Sequence, residues 1–106
     1  MGHSFNYKCS KCGYSARSCG GLDYGMNAVL ETYICVDCNE LVDVLVGECG
    51  IKYPEETLKP KQKKEFYLCE ECRGKNILKW DIRKKPCPKC KGRMKIDPHA
   101  ATVLWD

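Results

Sequence analysis

Eight of the chain's ten cysteines fall into four Cys-x-x-Cys pairs: Cys9/Cys12, Cys35/Cys38, Cys69/Cys72 and Cys87/Cys90. No other feature limits the fold as much. The 106 residues suit one small domain or two very small ones. A unit of about fifty residues buries too little apolar surface to fold comfortably without a staple. Disulfide frameworks spread their cysteines to clip distant loops, whereas thiols three positions apart present two sulfurs to one ion. The amino-terminal stretch "MGHSFNYKC" shows no apolar run or cleavage signal, and nothing approaches the length of a membrane span. The expectation is a reduced, cytoplasmic, metal-stapled protein with no membrane contact.

Thiolates are soft ligands and select zinc or iron over magnesium or calcium. Zinc has no redox chemistry, and a centre of four sulfurs has no open position, so it folds a chain rather than catalysing. Zinc binding by comparable peptides is worth about 10–16 kcal/mol, more than the stability of a typical small domain. The sequence predicts two structural Zn2+ sites, with iron as the alternative metal. The predicted ligands are Cys9, Cys12, Cys35, Cys38, Cys69, Cys72, Cys87 and Cys90. Each four-thiolate zinc centre carries about −2, so two of them bring the formal charge of +4 to about zero. Residues 1–53 hold four Lys/Arg against six Asp/Glu, and residues 54–106 hold fourteen against eight. The second half stays basic and the first is acidic.

The pairs fall into two similar segments. "CSKC" and "CVDC" enclose 22 residues; "CEEC" and "CPKC" enclose 14. Between Cys38 and Cys69 runs "YPEETLKPKQKKEF", polar and with two prolines, which reads as a linker. Short closures cost less entropy than long ones, which favours joining neighbouring pairs. The division is then 1–53 (Cys9, Cys12, Cys35, Cys38), a linker 54–65, and 66–106 (Cys69, Cys72, Cys87, Cys90) with a carboxy-terminal tail. A cross-braced alternative joins pair one with three and two with four. "SFNYK", "VLETYI", "LVDVLV", "EFYL", "NILKWDI" and "RMKID" read as strands. Pro54 with Glu55 and Glu56 suits a turn of helix that Pro60 would stop. Gly13, Gly74 and Gly92 follow the second cysteine of a pair, where wrapping around a metal calls for φ > 0.

"CEECRG…CPKCKGRMKI" in residues 69–97 resembles the zinc-ribbon (rubredoxin-like) superfamily, and residues 9–38 resemble it more loosely because of their longer insert. The resemblance implies a small metal-stapled all-β fold: two tandem zinc ribbons of short antiparallel strands with little helix. Two ribbons in this length also resemble the small two-ribbon subunit of RNA polymerase and its transcript-cleavage relatives. Those relatives carry an Asp-Glu pair on a hairpin of the second ribbon. Here that insert is "RGKNILKWDIRKKP", whose single acid is Asp81. The carboxylates for a catalytic magnesium are missing, so the activity does not carry over.

Cys19 and Cys49, each before a glycine, read as small buried residues rather than ligands. His3 and His99 read as exposed spectators. "GGLDYGMN" lacks the lysine and strand-to-helix context of a phosphate loop, and reads as a hairpin loop. Lys59, Lys61, Lys63 and Lys64 form one basic cluster. Arg83, Lys84, Lys85, Lys89, Lys91, Arg93 and Lys95 form another. Either could face phosphates, with Tyr67 and Trp80 as stacking surfaces, or simply face water; Trp80 suits the small core better. The tail ending in Val103, Leu104 and Trp105 suits an added strand.

No nucleophile–base pair and no open metal site is visible, so the expectation is a protein without enzymatic activity. Three roles follow in order: a binding module for nucleic acid or a nucleic-acid machine through Lys84, Lys85, Lys89, Lys91 and Arg93; an adaptor for another protein; and a rubredoxin-like iron electron carrier.

Overall fold

The computed structural model describes residues 2–25, 27–97 and 103–105. Two hairpins organise it. The first joins β1 (Gly2–Cys9) to β2 (Ser15–Ser18) around the first cysteine pair, in register from Phe5 opposite Ser18 to Lys8 opposite Ser15. The second joins β4 (Ala28–Cys35) to β5 (Glu40–Glu48) around the second pair, with Cys35 opposite Glu40. Between them, β3 (Leu22–Tyr24) lies antiparallel along the outer edge of β4. After β5 the chain turns through Cys49 (φ 53°) and Gly50 (φ 74°) into β6 (Ile51–Lys52). Positive φ at both central residues of a two-residue loop is the hairpin turn that matches strand twist.

The third and fourth cysteine pairs each launch a short strand, and these strands decide the architecture. β7 (Ile77–Lys79) follows the third pair and returns to β4, with Cys35 opposite Ile77. β8 (Met94–Ile96) follows the fourth pair and returns to β1, with Cys9 opposite Met94. The two units share one plan: a hairpin around one pair, and a later strand that brings the other pair to the hairpin's first strand. They are nested. Of the described residues, those from 19 to 80 form an inner unit inserted between the two parts of an outer unit, 2–18 and 81–97 with 103–105.

The small, almost wholly β architecture agrees with the expected class, and among the described residues helix is limited to the 3-10 turns Glu55–Thr57 and Gln62–Lys64. The tandem division at 54–65 does not describe it. That segment is no free linker: Leu58 is buried with Phe66 and Tyr67 in the inner core. "EFYL" is not a strand. Phe66 closes a turn onto Gln62, and Tyr67 takes φ 60° while its N–H bonds Leu45, so both rings enter one core. The tail does add a strand. β9 (Val103–Trp105) pairs with the start of β1, Gly2 opposite Trp105. His3 lies in β1 opposite Leu104; His99, with the rest of 98–102 and Asp106, lies outside the described residues.

Strand alternation divides the apolar residues between two cores. Val42, Val44 and Val46 of β5, with Val29 and Cys35 of β4, face the inner core. Leu41 and Ile34, on the opposite faces of those strands, join Tyr7, Met94 and Trp80 in the outer core. The β4–β5 hairpin is therefore covered on both sides, which is why "LVDVLV" carries apolar residues at consecutive positions. Trp80 closes the junction. Its ring meets Tyr7 edge-on at 5.3 Å, its Nε1 donates to the Pro86 carbonyl at 2.9 Å, and its backbone N–H donates to Thr32.

Candidate metal centres

All four Cys-x-x-Cys turns share one backbone shape. The N–H just after the second cysteine donates to the carbonyl of the first: Gly13 to Cys9, Asn39 to Cys35, Arg73 to Cys69, and Lys91 to Cys87, at 2.8–3.0 Å. These four residues hold the positive φ, at 81°, 55°, 61° and 63°. Gly74 and Gly92, one position further on, have no positive φ; their need is space. A Cβ on Gly92 would stand 3.1 Å from Cys90 Sγ and 3.3 Å from Cys9 Sγ, and one on Gly74 would stand 3.3 Å from Cys72 Sγ. The glycine after the third and fourth sulfur turns lets the backbone pass close to the sulfurs. Gly92 also points its N–H at Cys90 Sγ, at 3.3 Å.

The eight paired thiols gather into two groups of four, in neither of the expected combinations. Cys9 and Cys12 meet Cys87 and Cys90, pair one with pair four. Cys35 and Cys38 meet Cys69 and Cys72, pair two with pair three. Within each group the sulfurs lie within 4.8 Å of one another. Cross-pair separations are 3.5 Å (Cys9–Cys90), 3.6 Å (Cys12–Cys87), 3.7 Å (Cys35–Cys72) and 3.8 Å (Cys38–Cys69). A tetrahedron with metal–sulfur bonds of about 2.3 Å has edges of about 3.8 Å, so each group has the size of a four-sulfur metal site of zinc-ribbon type. None of the ten cysteines is in a disulfide.

Four sulfurs this close cannot all be thiolates unless a cation lies among them. The N–H groups of Cys12 and Lys11 hold Cys9 down at about 6. Although the Tyr14 N–H favours its anion, Cys12 is pushed up to about 12 by desolvation and its thiol neighbours. In the inner group, the hydrogen bonds that the Cys38 thiol donates to Cys72 and Cys35 hold its proton and push it up. A bound metal supplies the positive charge that lets all four ionise, and both centres could hold one.

The surroundings of the two centres carry opposite charge. The inner turns contain Asp37, Glu70 and Glu71; the outer turns contain Lys11 and Lys89. Lys89 Nζ sits 5.5 Å from the centroid of the Tyr14 ring. With the nested pairing, residues 1–18 and 81–106 hold ten Lys/Arg against three Asp/Glu, and residues 19–80 hold eight against eleven.

The remaining singled-out residues divide. Cys49 is exposed in the β5–β6 turn, contrary to the buried role expected for it, whereas Cys19 is buried. Around Cys19 lies a polar cluster that the sequence did not reveal. The Asp43 carboxylate accepts from Ser18 Oγ (2.9 Å), the Cys19 N–H (3.1 Å) and Thr32 Oγ1 (3.3 Å), tying β2 to the β4–β5 hairpin. Burial raises Asp43, and burial together with Asp43 pushes the Cys19 thiol up to about 12. Glu31, 3 % exposed, is held by Lys52 (3.4 Å), Lys79 (3.3 Å) and the Tyr33 hydroxyl (3.2 Å). No sequence signal distinguished Asp43 or Glu31, because each is a single acid within an apolar run. Tyr67 and Trp80 are buried and offer no stacking surface. "GGLDYGMN", expected as a hairpin loop, instead supplies the strand β3 at Leu22–Tyr24. No helix among the described residues is long and apolar enough to cross a membrane.

Neither a scan of protein-family models nor searches of curated proteins and of solved structures finds a match to this chain. Its likeness to a zinc ribbon therefore rests on its own geometry: two four-cysteine centres, each joining a strand hairpin to a later sulfur-bearing turn.

Proposed function

We propose that the chain is a non-catalytic, zinc-stapled binding module whose outer unit holds nucleic acid. The observation that carries this reading is the charge of that unit, ten cations against three acids once pair one is joined to pair four. One four-thiolate zinc centre leaves the outer unit strongly positive and makes the acidic inner unit more so. Lys85, Lys91 and Arg93 form no ion pair among the described residues. A strongly cationic surface suits a polyanion. All-sulfur ligation suits zinc, with iron as the alternative, and four sulfurs leave no position for a substrate. Free thiols as ligands go with a reducing compartment such as the cytoplasm.

The test is fluorescence anisotropy of labelled oligonucleotides with metal-loaded protein at two salt concentrations. Binding should weaken steeply with salt. Replacing Lys84, Lys85 and Lys89 together by Gln should lower the salt slope, for each phosphate no longer neutralised, by roughly 0.9 on a duplex and roughly 0.7 on a single strand. Absence of binding at low salt would refute the reading.

A further inference from the structure

The nested pairing creates a groove that neither unit has alone. Ile34, Val36 and Leu78 of the inner unit form one wall, and Pro86, Pro88 and Lys91 of the outer unit form the other. Its volume is about 420 Å³, within the range of about 300–1,000 Å³ typical of small-molecule sites. The apolar wall is open to solvent: Val36 is 46 % and Leu78 61 % exposed. The opposite wall belongs to "KKPCPKCKGR", where Lys84 and Lys85 precede Pro86 and Arg93 follows Lys91. Apolar surface and cations alternate along one short stretch.

We propose that this groove takes unstacked bases of a single-stranded nucleic acid while Lys84, Lys85, Lys91 and Arg93 hold the flanking phosphates. The inference rests on the nucleic-acid reading above and adds the form of the ligand. A duplex keeps its base faces stacked inside and can offer this surface only phosphates and groove edges. A single strand offers flat apolar faces and anionic groups in alternation, which matches Val36, Leu78, Pro86 and Pro88 beside the cations. The outer unit's excess of seven positive charges over acids, counted from its sequence, favours a polyphosphate over an acidic peptide.

The experiment uses the full metal-loaded chain and four probes of equal length: an intact single strand, the same strand with abasic sites throughout, a duplex, and a Leu/Glu repeat peptide. The intact strand should bind about ten-fold more tightly than the abasic one, the scale expected when a base covers the half-exposed apolar side chains of Val36 and Leu78. Replacing Val36 and Leu78 by Ser, both solvent-facing, should remove that ten-fold advantage. Duplex binding and the two-metal content should stay unchanged. Equal binding of intact and abasic strands, or a Val36→Ser/Leu78→Ser variant that still favours the intact strand, overturns the groove assignment alone. Tighter binding of the peptide than of the intact strand overturns the assignment to nucleic acid. If no oligonucleotide binds at low salt, the proposed function falls as well.

Discussion

Double substitutions of cysteine read out the nesting directly. Cys9 and Cys87 belong to one centre, as do Cys35 and Cys69. Cys9→Ser with Cys87→Ser should therefore empty one site and leave one metal per chain. Cys9→Ser with Cys35→Ser should disturb both sites and leave neither intact. Tandem pairing predicts the reverse. The stability cost follows from the loops. Cys12 and Cys87 are 75 positions apart, and Cys38 and Cys69 are 31 apart. With the inner centre closed, its 31 residues drop out of the outer loop and leave about 44. The loop-closure part alone, treated as one cross-link on the chain-entropy relation, is worth about 4 kcal/mol, and the lost metal–thiolate bonds add to it. At a urea slope near 2 kcal/mol/M, the unfolding midpoint should fall by at least about 2 M. Elemental analysis of the purified variants gives the metal content, and urea titration followed by tryptophan fluorescence gives the stability. One metal retained by Cys9→Ser/Cys35→Ser, together with none retained by Cys9→Ser/Cys87→Ser, would refute the nested architecture.

Three further outcomes are expected. Glu31→Gln should destabilise the inner unit by about 1.5–3 kcal/mol, because it removes the charge that Lys52, Lys79 and the Tyr33 hydroxyl surround; a thermal midpoint unchanged from the parent's would contradict this. Trp80→Ala should cost about 3–5 kcal/mol as a core cavity, and because Trp80 joins the units it should split a single unfolding transition into two by calorimetry. In the metal-loaded protein iodoacetamide should modify Cys49 and spare Cys19, as read by mass spectrometry. Burial and Asp43 raise Cys19 from 9.0 to about 12, so its contribution to stability is complete below pH 9 and is lost as pH climbs towards 12; Cys19→Ala should flatten that alkaline decline.

The local chemistry was legible in the sequence, and the long-range arrangement was not. Spacing alone marks the eight thiols that the fold gathers, and alternation and β-branching mark β1, β4, β5 and β8. The choice of partners failed for a specific reason. The loop-closure argument compares lengths along an unfolded chain. Once β4, β5 and β7 pair, Thr32 bonds both Trp80 and Ser18, so residues 18 and 80 are brought together and the outer closure is short in space. The consecutive apolar residues of "LVDVLV" hinted at this, since a hairpin of an independent ribbon needs only one apolar face. "EFYL" misled because aromatic residues favour strands, yet here the burial of Phe66 and Tyr67 outweighs that preference. At Gly92 and Gly74 the sequence pointed to a special residue for the wrong reason: it is proximity to sulfur, not φ, that crowds a Cβ there.

Nesting also sets an order in time. A ribosome adds about 5–20 residues per second, so Cys87 emerges roughly 4–15 s after Cys12. The inner centre has all its sulfurs by residue 72, while Cys9 and Cys12 still wait with two ligands of four. Between the synthesis of Cys38 and that of Cys69, Cys9 and Cys12 share the chain with Cys35 and Cys38, the partners that the linear spacing suggests. A metal caught between those two pairs would hold the chain in a tandem arrangement that must come apart before the final strand can close. Completion of the inner unit, which occupies Cys35 and Cys38, removes that competing arrangement once Cys69 and Cys72 have been made.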